Sequence, residues 1–255
     1  KYLGQLGDGG HIDIPEADVG IVSGGVRNEE HVEVLEEMRR KCKIIVAHGT
    51  CATHGGIPAL ANSYTSEEML QRVYSTETTD APAASFGEDV PRLLDACYAL
   101  DEKVKVDVYL PGCPPHPDQV FEALTALATG SPLNLPGRSV CDHCPTVREG
   151  KGQLKTLRRF LQSPHYNAPD EPLDKMRCIL EQGMLCMGPV TRAGCGGSKI
   201  VPRCITARVP CRGCYGPVKQ NGNQRLDMLN ALASNGIDIS SLPETVSLLR
   251  FSGAH

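Results

Sequence analysis

The spacing of its cysteines limits the folds that this chain can adopt. Eight of the twelve lie between Cys141 and Cys214, in a stretch rich in Gly, Pro and Arg with few long periodic elements. Fixing one residue's backbone costs about 1–2 kcal/mol, so such a stretch needs a source of order besides apolar burial. A disulfide framework is typical of small secreted domains, whereas 255 residues with 40% hydrophobic content can bury a core. The spacing favours a metalloprotein in a reducing compartment.

The eight thiols divide into two sets of four, each with one Cys-x-x-Cys pair. The first thiol set is Cys141, Cys144, Cys178 and Cys186. The second thiol set is Cys195, Cys204, Cys211 and Cys214. Four thiolates suit both tetrahedral zinc and a 4Fe-4S cluster, so spacing alone leaves both open.

Three features favour iron over zinc. Zinc ribbons commonly pair two Cys-x-x-Cys knuckles, whereas each set here has one such pair and two dispersed thiols. The neighbourhoods "AGCGG" and "CRGCYGP" contain small residues that let backbone approach inorganic sulfide. Two adjacent four-thiol sites would form an electron relay, and zinc has no accessible redox change.

The first half of the chain has the pattern of an α/β domain. "ADVGIVSGG" is a short apolar run, and behind an Asn28 cap Val32, Leu35 and Met38 fall on one helical face. The β-branched run Lys43–Ala47 follows. The pattern predicts strand, helix, strand in a layered domain with a mostly parallel sheet.

Two further segments have clear periodicity. Val104–Leu110 is predicted as a strand. The helix predicted after it has an apolar side made of Val120, Phe121, Leu124 and Leu127. A terminal helix is predicted to pack on the core through Leu226, Met228, Leu229 and Leu232.

Two Gly/Pro loops carry one thiol each. Cys51 in "AHGTCATHGG" and Cys113 in "LPGCPPHP" follow predicted strands, and ligands of open α/β sheets lie outside the carboxyl ends of the strands. The two thiols are therefore predicted to share one ligand, although single thiols in sheet proteins are usually buried apolar residues. His48, His54 and His116 lie in the same loops and are interpreted as hydrogen-bonding or surface residues. A catalytic Cys/His pair lacks an identifiable third group.

Composition excludes some partners. A net charge of -4 and a pI near 6.1 provide no basic surface for nucleic acid. No apolar run approaches the roughly 20 residues that span a bilayer. The chain starts at Lys1 without a signal peptide, and we expect an N-terminal segment to be missing. Cys42 and Cys97, each in or beside a predicted helical stretch, are interpreted as structural.

Taken together, these motifs resemble the small, electron-transferring subunit of nickel-iron hydrogenases over nearly the whole chain. "GTCATHGG" and "PGCPPHP" look like the proximal-cluster loops of that family. The resemblance implies three 4Fe-4S clusters: a proximal one held by Cys51 and Cys113, a medial one held by the second thiol set, and a distal one held by the first. It implies a flavodoxin-like α/β domain over residues 1–136, followed by an irregular cysteine-rich, ferredoxin-like iron-sulfur domain over residues 137–255.

The chain departs from the family pattern in two places. Family members usually complete the proximal site with an N-terminal Cys-x-x-Cys loop; here either that segment is absent or a carboxylate of Asp8 or Glu29 substitutes, and we favour absence. Respiratory members often have a His where Cys141 stands. All-cysteine sets with "PCRGCYGP" look most like cytoplasmic methanogen-type enzymes, namely the methyl-viologen-reducing (deazaflavin-independent) hydrogenase or the deazaflavin-reducing hydrogenase. The "PGCPP" loop also occurs in the cluster-bearing subunit of respiratory complex I, which lacks the eight-cysteine region.

The function implied by the resemblance is electron transfer. A nickel-iron large subunit would oxidise H2, and this chain would relay the electrons to a cytoplasmic acceptor such as a heterodisulfide reductase complex. A large apolar interface is expected near Cys51 and Cys113. The alternatives are a zinc-stapled structural or adaptor protein, a ferredoxin-like carrier that works alone, and a cysteine-dependent enzyme that uses Cys51.

Overall fold

The computed structural model describes residues 5–6, 12–78, 91–150, 156–158, 171–242 and 245–251. The strands in these ranges are β1 (Gln5–Leu6), β2 (Ile12–Asp13), β3 (Ala17–Ser23), β4 (Val26–Asn28), β5 (Cys42–His48), β6 (Leu93–Tyr98) and β7 (Val108–Leu110). The α-helices are α1 (Glu29–Lys41), α2 (Thr50–His54), α3 (Ser66–Tyr74), α4 (Pro117–Thr129), α5 (Arg203–Thr206), α6 (Gln224–Ser234) and α7 (Thr245–Leu248). No helix within the described ranges is long and apolar enough to cross a membrane.

The chain divides into two units after Leu110. We call the part up to Leu110 the sheet unit and the part from Pro111 the thiol unit. The division precedes the boundary predicted at residue 136, because α4 contacts the 3-10 helix Gly197–Lys199 of the cysteine-rich part. In that contact the backbone N–H of Ser198 donates to the Asp118 carboxylate over 2.8 Å.

A parallel sheet forms the centre of the sheet unit, in the order β3-β5-β7. In the central strand β5, Ile45, Val46 and Ala47 are almost fully buried. A compact apolar run in a strand is expected where both faces of a parallel sheet are covered. The mixed α/β class with a parallel sheet, predicted from the sequence, is confirmed.

Helix α1 forms where its capping signals lie. The Asn28 side chain accepts the N–H of His31 over 2.8 Å, the first turn is acidic, and the last turn is basic. Leu35 is 2% exposed, and Val32 and Met38 pack partly buried in the same cluster. The predicted strand-helix-strand order is therefore confirmed.

Two features of the sheet unit differ from the sequence-based expectation. Strand β7 covers only Val108–Leu110 of the predicted run Val104–Leu110. Cys97 lies in strand β6, which pairs antiparallel with β4, and not beside a helix. Both Cys42 and Cys97 are buried, in agreement with a structural role.

The thiol unit contains mainly short helical turns and loops. The 3-10 helices Val140–His143, Gly188–Val190, Gly197–Lys199 and Ile239–Ser241 alternate with irregular backbone. Met228 and Leu232 of α6 are at most 1% exposed and pack in one core cluster with Cys186 and Cys211. Two thiols are therefore part of the hydrophobic core of this unit.

Helix α4 is present as predicted, but its apolar side is not the buried one. Phe121 is 73% exposed and Leu124 is 46% exposed. The buried residues of α4 are Gln119, Ala123 and Ala126, which include a polar side chain.

Candidate metal centres

The first thiol set lines one cavity in the thiol unit. Its four thiols surround a volume of about 360 Å³. The remaining wall is largely apolar, with Val140, Ile179, Ile205, Leu232 and Ile237 among its side chains. Four residues that are dispersed over 46 positions of the sequence are thus brought to one apolar cavity.

Local backbone structure explains how these thiols are placed. Cys141 lies in the 3-10 turn Val140–His143, whose start is capped because the backbone N–H and hydroxyl of Ser139 both donate to the Asp142 carboxylate. The backbone N–H of Cys178 donates to the Val147 carbonyl over 2.7 Å. This bond ties the segment after the Cys-x-x-Cys pair to the third thiol of the set.

Burial dominates the electrostatics of the first thiol set. Removal from water raises the pKa of Cys141 and of Cys186 to about 12, and neighbouring thiols of the set add to both shifts. Backbone N–H groups of Gly188 and Cys211 act in the opposite direction on Cys186, because they stabilise its thiolate. Without a bound group, Cys141 and Cys186 are therefore neutral near pH 7, and a bound cationic group would hold them as thiolates.

The second thiol set is also brought together. Cys195 lies between Gly194 and Gly196, Cys204 lies in α5, and the other two lie in the loop after it. Burial raises the pKa of Cys195 and Cys211, and that of Cys214 to about 12. The Cys204 thiol adds to all three shifts, which puts it within electrostatic reach of each of the others.

Backbone hydrogen bonds connect the two thiol sets to each other and connect the second set to Cys113. The N–H of Cys211, in the second set, donates to the Cys186 sulfur of the first set over 3.2 Å. The N–H of Met187 donates to the Cys211 carbonyl over 2.9 Å. At the other end of the second set, Cys214 accepts a hydrogen bond from the backbone N–H of Cys113, which counteracts part of its raised pKa.

Cys51 lies in the first turn of α2, which starts directly after β5. Gly56 packs against it so closely that a Cβ at position 56 would lie 3.1 Å from the Cys51 sulfur. With φ of +55°, Gly56 also has a conformation that other residues rarely adopt. The backbone at Gly56 therefore approaches the Cys51 thiol more closely than a residue with a side chain would allow.

Cys113 is exposed, in the loop that follows β7. His48 and Leu110 are the last residues of β5 and β7, and they pair with each other. The two strands therefore end at the same edge of the sheet. Cys51 belongs to the sheet unit and Cys113 to the thiol unit. A shared ligand for these two thiols stays a prediction.

Of the histidines in the two loops, His116 and His54 form hydrogen bonds. His116 caps α4, because its Nδ1 accepts the backbone N–H of Asp118 over 3.1 Å. His54 is buried, with its Nδ1 2.7 Å from the Thr53 hydroxyl. Of the carboxylates considered for the proximal site, Glu29 is exposed at the start of α1, and Asp8 lies outside the described residues.

The thiol geometry suits a multi-atom group better than a single ion. Zn–S bonds of about 2.3 Å hold four sulfurs within about 4 Å of one another. Among the residues that the structure describes, no group of three or more His, Cys, Asp or Glu side chains is placed to hold a single metal ion. The cavity of about 360 Å³ is roughly ten times the volume of about 30 Å³ that one water molecule occupies. A 4Fe-4S cluster, held by four thiolates around a larger inorganic core, fits this site.

Two residues at the first thiol set were not identified from the sequence. Arg148 lines the cavity, and a Cβ at Gly188 would lie 3.0 Å from the Cys141 sulfur. The only sequence signal for either is its nearness to a cysteine, because the contacts are made across the fold. Such contacts depend on loop geometry that spacing does not encode.

A known family model matches the first half of the chain, and a solved structure matches part of the chain. Residues 5–127 match the family model described as NADH ubiquinone oxidoreductase, 20 Kd subunit. The match ends before the first thiol set begins. A chain of an NAD+-reducing NiFe-hydrogenase, crystallised in the H2-reduced state, is 38% identical over 48% of this chain and 70% of that chain, with a TM-score of 0.46.

Two relatives match over most of the chain. An iron-sulfur subunit of the F420-non-reducing hydrogenase of Archaeoglobus profundus is 37% identical over 85% of this chain and 70% of its own length. A subunit of the vhu F420-non-reducing hydrogenase of Methanocaldococcus jannaschii is 40% identical over 93% of this chain and 78% of its own length. Identity at this level over both lengths confirms the resemblance seen in the motifs, and the chain belongs to the family of nickel-iron hydrogenase small subunits that includes these F420-non-reducing members.

Proposed function

We propose that the chain relays electrons from H2 oxidation at a nickel-iron large subunit, through three 4Fe-4S clusters, to a cytoplasmic acceptor such as a heterodisulfide reductase complex. The observation that carries the proposal is the apolar cavity of about 360 Å³ that all four thiols of the first set line. The first thiol set would hold the distal cluster and the second the medial cluster. Cys51 and Cys113 would contribute to the proximal cluster.

The chain's own residues have three tasks in this function. A bound 4Fe-4S cluster would supply reversible electron uptake at each site. The cysteines would bind it as thiolates, and backbone N–H groups such as those of Gly188 and Cys211 would stabilise the Cys186 sulfur. The apolar wall, with Val140 and Ile179, would exclude water and so influence the reduction potential.

The hydrogen bonds between the two thiol sets and Cys113 support the proposed proximal, medial and distal order of the clusters. Cys113 donates to Cys214 of the second set, and Cys211 of the second set donates to Cys186 of the first. The second thiol set thus has a direct contact on each side. This arrangement agrees with a medial position between a proximal and a distal site.

The finer assignments of fold and partners belong to the same proposal. We assign a flavodoxin-like fold to the α/β part and a ferredoxin-like iron-sulfur fold to the cysteine-rich part. The large subunit would carry the nickel-iron site, so this chain would form no bonds with H2 itself. Relatives named F420-non-reducing favour the deazaflavin-independent type over the deazaflavin-reducing type.

Metal and sulfide analysis of the anaerobically purified native complex tests this function. After correction for iron in co-purifying subunits, about twelve iron and twelve sulfide per chain are expected from three clusters of four irons each. About eight of each would mean that the proximal site is empty. Zinc with little sulfide would overturn the proposal and support the zinc-stapled structural protein.

A pair of cysteine variants tests the assignment of ligands. Cys178→Ala should lower the iron content by about four per chain, because it removes one thiolate of a four-thiolate cluster. Cys97→Ala, which changes a buried thiol of the sheet unit, should leave the iron content unchanged. Equal iron contents in the two variants would contradict the assignment of the first thiol set.

A further inference from the structure

Among the described residues that line the cavity of the first thiol set, Arg148 is the one basic side chain. It is exposed to solvent and still forms part of the cavity wall, which puts it at the boundary between the cavity and water. A cation at this boundary has the thiols of Cys141, Cys144 and Cys178 on one side and solvent on the other.

The backbone around Arg148 is fixed on both sides. Before it, the Val147 carbonyl accepts the N–H of Cys178, and the Val147 N–H donates to the Met176 carbonyl over 2.9 Å. After it, the N–H groups of Glu149 and Gly150 donate to the two carboxylate oxygens of Glu181, over 2.9 and 3.1 Å. An exposed residue held in this way has a defined position relative to the thiols.

The electrostatic partners of Arg148 are thiols. Partial burial lowers the pKa of its guanidinium. The nearby Cys141, Cys178 and Cys144 and a hydrogen bond to Cys141 raise the pKa by more, so it lies above the ordinary value. The neighbouring Glu149 and Glu181 have a basic partner of their own in Arg177, whose Nε lies 3.3 and 3.8 Å from their carboxylates. The charge of Arg148 is therefore directed at the sulfur ligands.

We propose that Arg148 raises the reduction potential of the distal cluster by holding a permanent positive charge against its cysteine sulfurs. The inference rests on the proposed function, since it assumes a cluster bound by the first thiol set. A cluster with four thiolates is anionic and becomes more negative when it takes up one electron, so a nearby cation stabilises the reduced form more. No bond forms or breaks in this step, and Arg148 keeps its proton because a guanidinium stays protonated in proteins.

The consequence for the relay is directional. A distal cluster of higher potential is the favoured place for electrons that arrive from the medial site. Arg148, at the solvent-exposed edge of the cavity, would thus favour the presence of electrons on the last cluster of the relay.

Redox titration of the purified complex, monitored by electron paramagnetic resonance, tests this inference. The distal signal is assigned by its loss in Cys178→Ala. In Arg148→Gln, the ratio of reduced to oxidised distal cluster at a fixed potential should fall about tenfold, which is about 59 mV for a one-electron couple. Arg148→Lys, which keeps the charge, should shift the ratio much less.

Controls separate the possible outcomes. Arg158→Gln removes another exposed arginine of the same unit, which donates to the Gln182 carbonyl and does not line the cavity, and should leave the distal signal unchanged. If Arg148→Gln loses iron, Arg148→Met, which retains an apolar stem, is titrated in its place. An unchanged potential in the uncharged variant with intact clusters, or equal shifts in the Lys and Gln variants, would overturn the role of Arg148. Absence of the distal signal from the wild-type complex would instead contradict the proposed function.

Discussion

The sheet unit and the thiol unit become ordered by different means. In the sheet unit, Leu35, Ile45 and Leu100 are at most 2% exposed and form a core around a parallel sheet. In the thiol unit, the thiols of Cys186 and Cys211 are themselves part of the core, beside an apolar cavity. The difference predicts that apolar burial orders the first unit, whereas a group bound by the thiols adds to the stability of the second.

Removal of the clusters is expected to have the largest effect and to separate the two units. A bound cluster joins Cys141 to Cys178 and Cys186 across the fold, and a group that binds only the folded state adds its binding free energy to folding, so the thiol unit loses this stabilisation when the cluster is removed. Hydrogen exchange after anaerobic chelation of iron should show lost protection over residues 171–242 and retained protection in β3, α1 and β5. Equal loss of protection in both units would contradict the comparison.

Truncation of the sheet-unit core should have the next largest effect. Leu35→Ala is expected to lower the free energy of unfolding of the sheet unit by about 2–5 kcal/mol, because Leu35 is 2% exposed. Val73→Ala, at a position that is 61% exposed in the same unit, is expected to change it by at most about 0.5 kcal/mol. Urea unfolding followed by circular dichroism measures both, and the iron content of either variant should equal that of the wild type.

A smaller effect is expected at Asp107, which joins α1 and β5 to the segment before β7. Its carboxylate accepts the N–H of Ile45 over 2.9 Å and pairs with Arg39 and, at 3.5 Å, with Lys105. Partial burial raises the pKa of Asp107, but these bonds outweigh it and hold the pKa below the ordinary value of 3.8. Asp107→Asn should lower the free energy of unfolding by about 1–2 kcal/mol at pH 7.

The pH dependence of the stability lost in Asp107→Asn follows from the lowered pKa of Asp107. A carboxyl group with a lowered pKa in the folded state stabilises the protein above its unfolded pKa, and this contribution is lost as the pH falls through the folded value. The difference between wild type and Asp107→Asn should therefore be constant above about pH 5 and shrink below pH 3.8. A deficit that grows on acidification would contradict the assignment.

The smallest expected effect is spectroscopic. Burial of Tyr109 and the neighbouring Asp101 carboxylate, which accepts its hydroxyl over 3.0 Å, raise the pKa of Tyr109 to about 12. The ultraviolet absorbance difference between wild type and Tyr109→Phe should therefore show phenolate formation near pH 12. A midpoint near 10, the ordinary value for tyrosine, would mean that β7 is not packed as described.

Local patterns explain what could be predicted from the sequence. The Asn28 cap and the spacing of Val32, Leu35 and Met38 depend on neighbouring residues only, and they predicted α1 correctly. The antiparallel pairing of β4 with β6 joins segments about 65 residues apart, and no local signal indicates it. For the candidate site, the grouping of thiols into two sets followed from spacing, and the structure brings the members of each set together.

Residue types and their spacing indicate the ligand chemistry of this protein: two sets of four thiols, Gly and Pro loops around Cys51 and Cys113, and an α/β pattern in the first half. Residue type and spacing are sufficient for this because ligand chemistry and helical or strand period are short-range properties. Long-range packing instead sets that α4 exposes Phe121 and buries Gln119, and it brings Arg148 to the cavity of the first thiol set. The physical reason is that burial and electrostatic contact depend on which distant segments pack together.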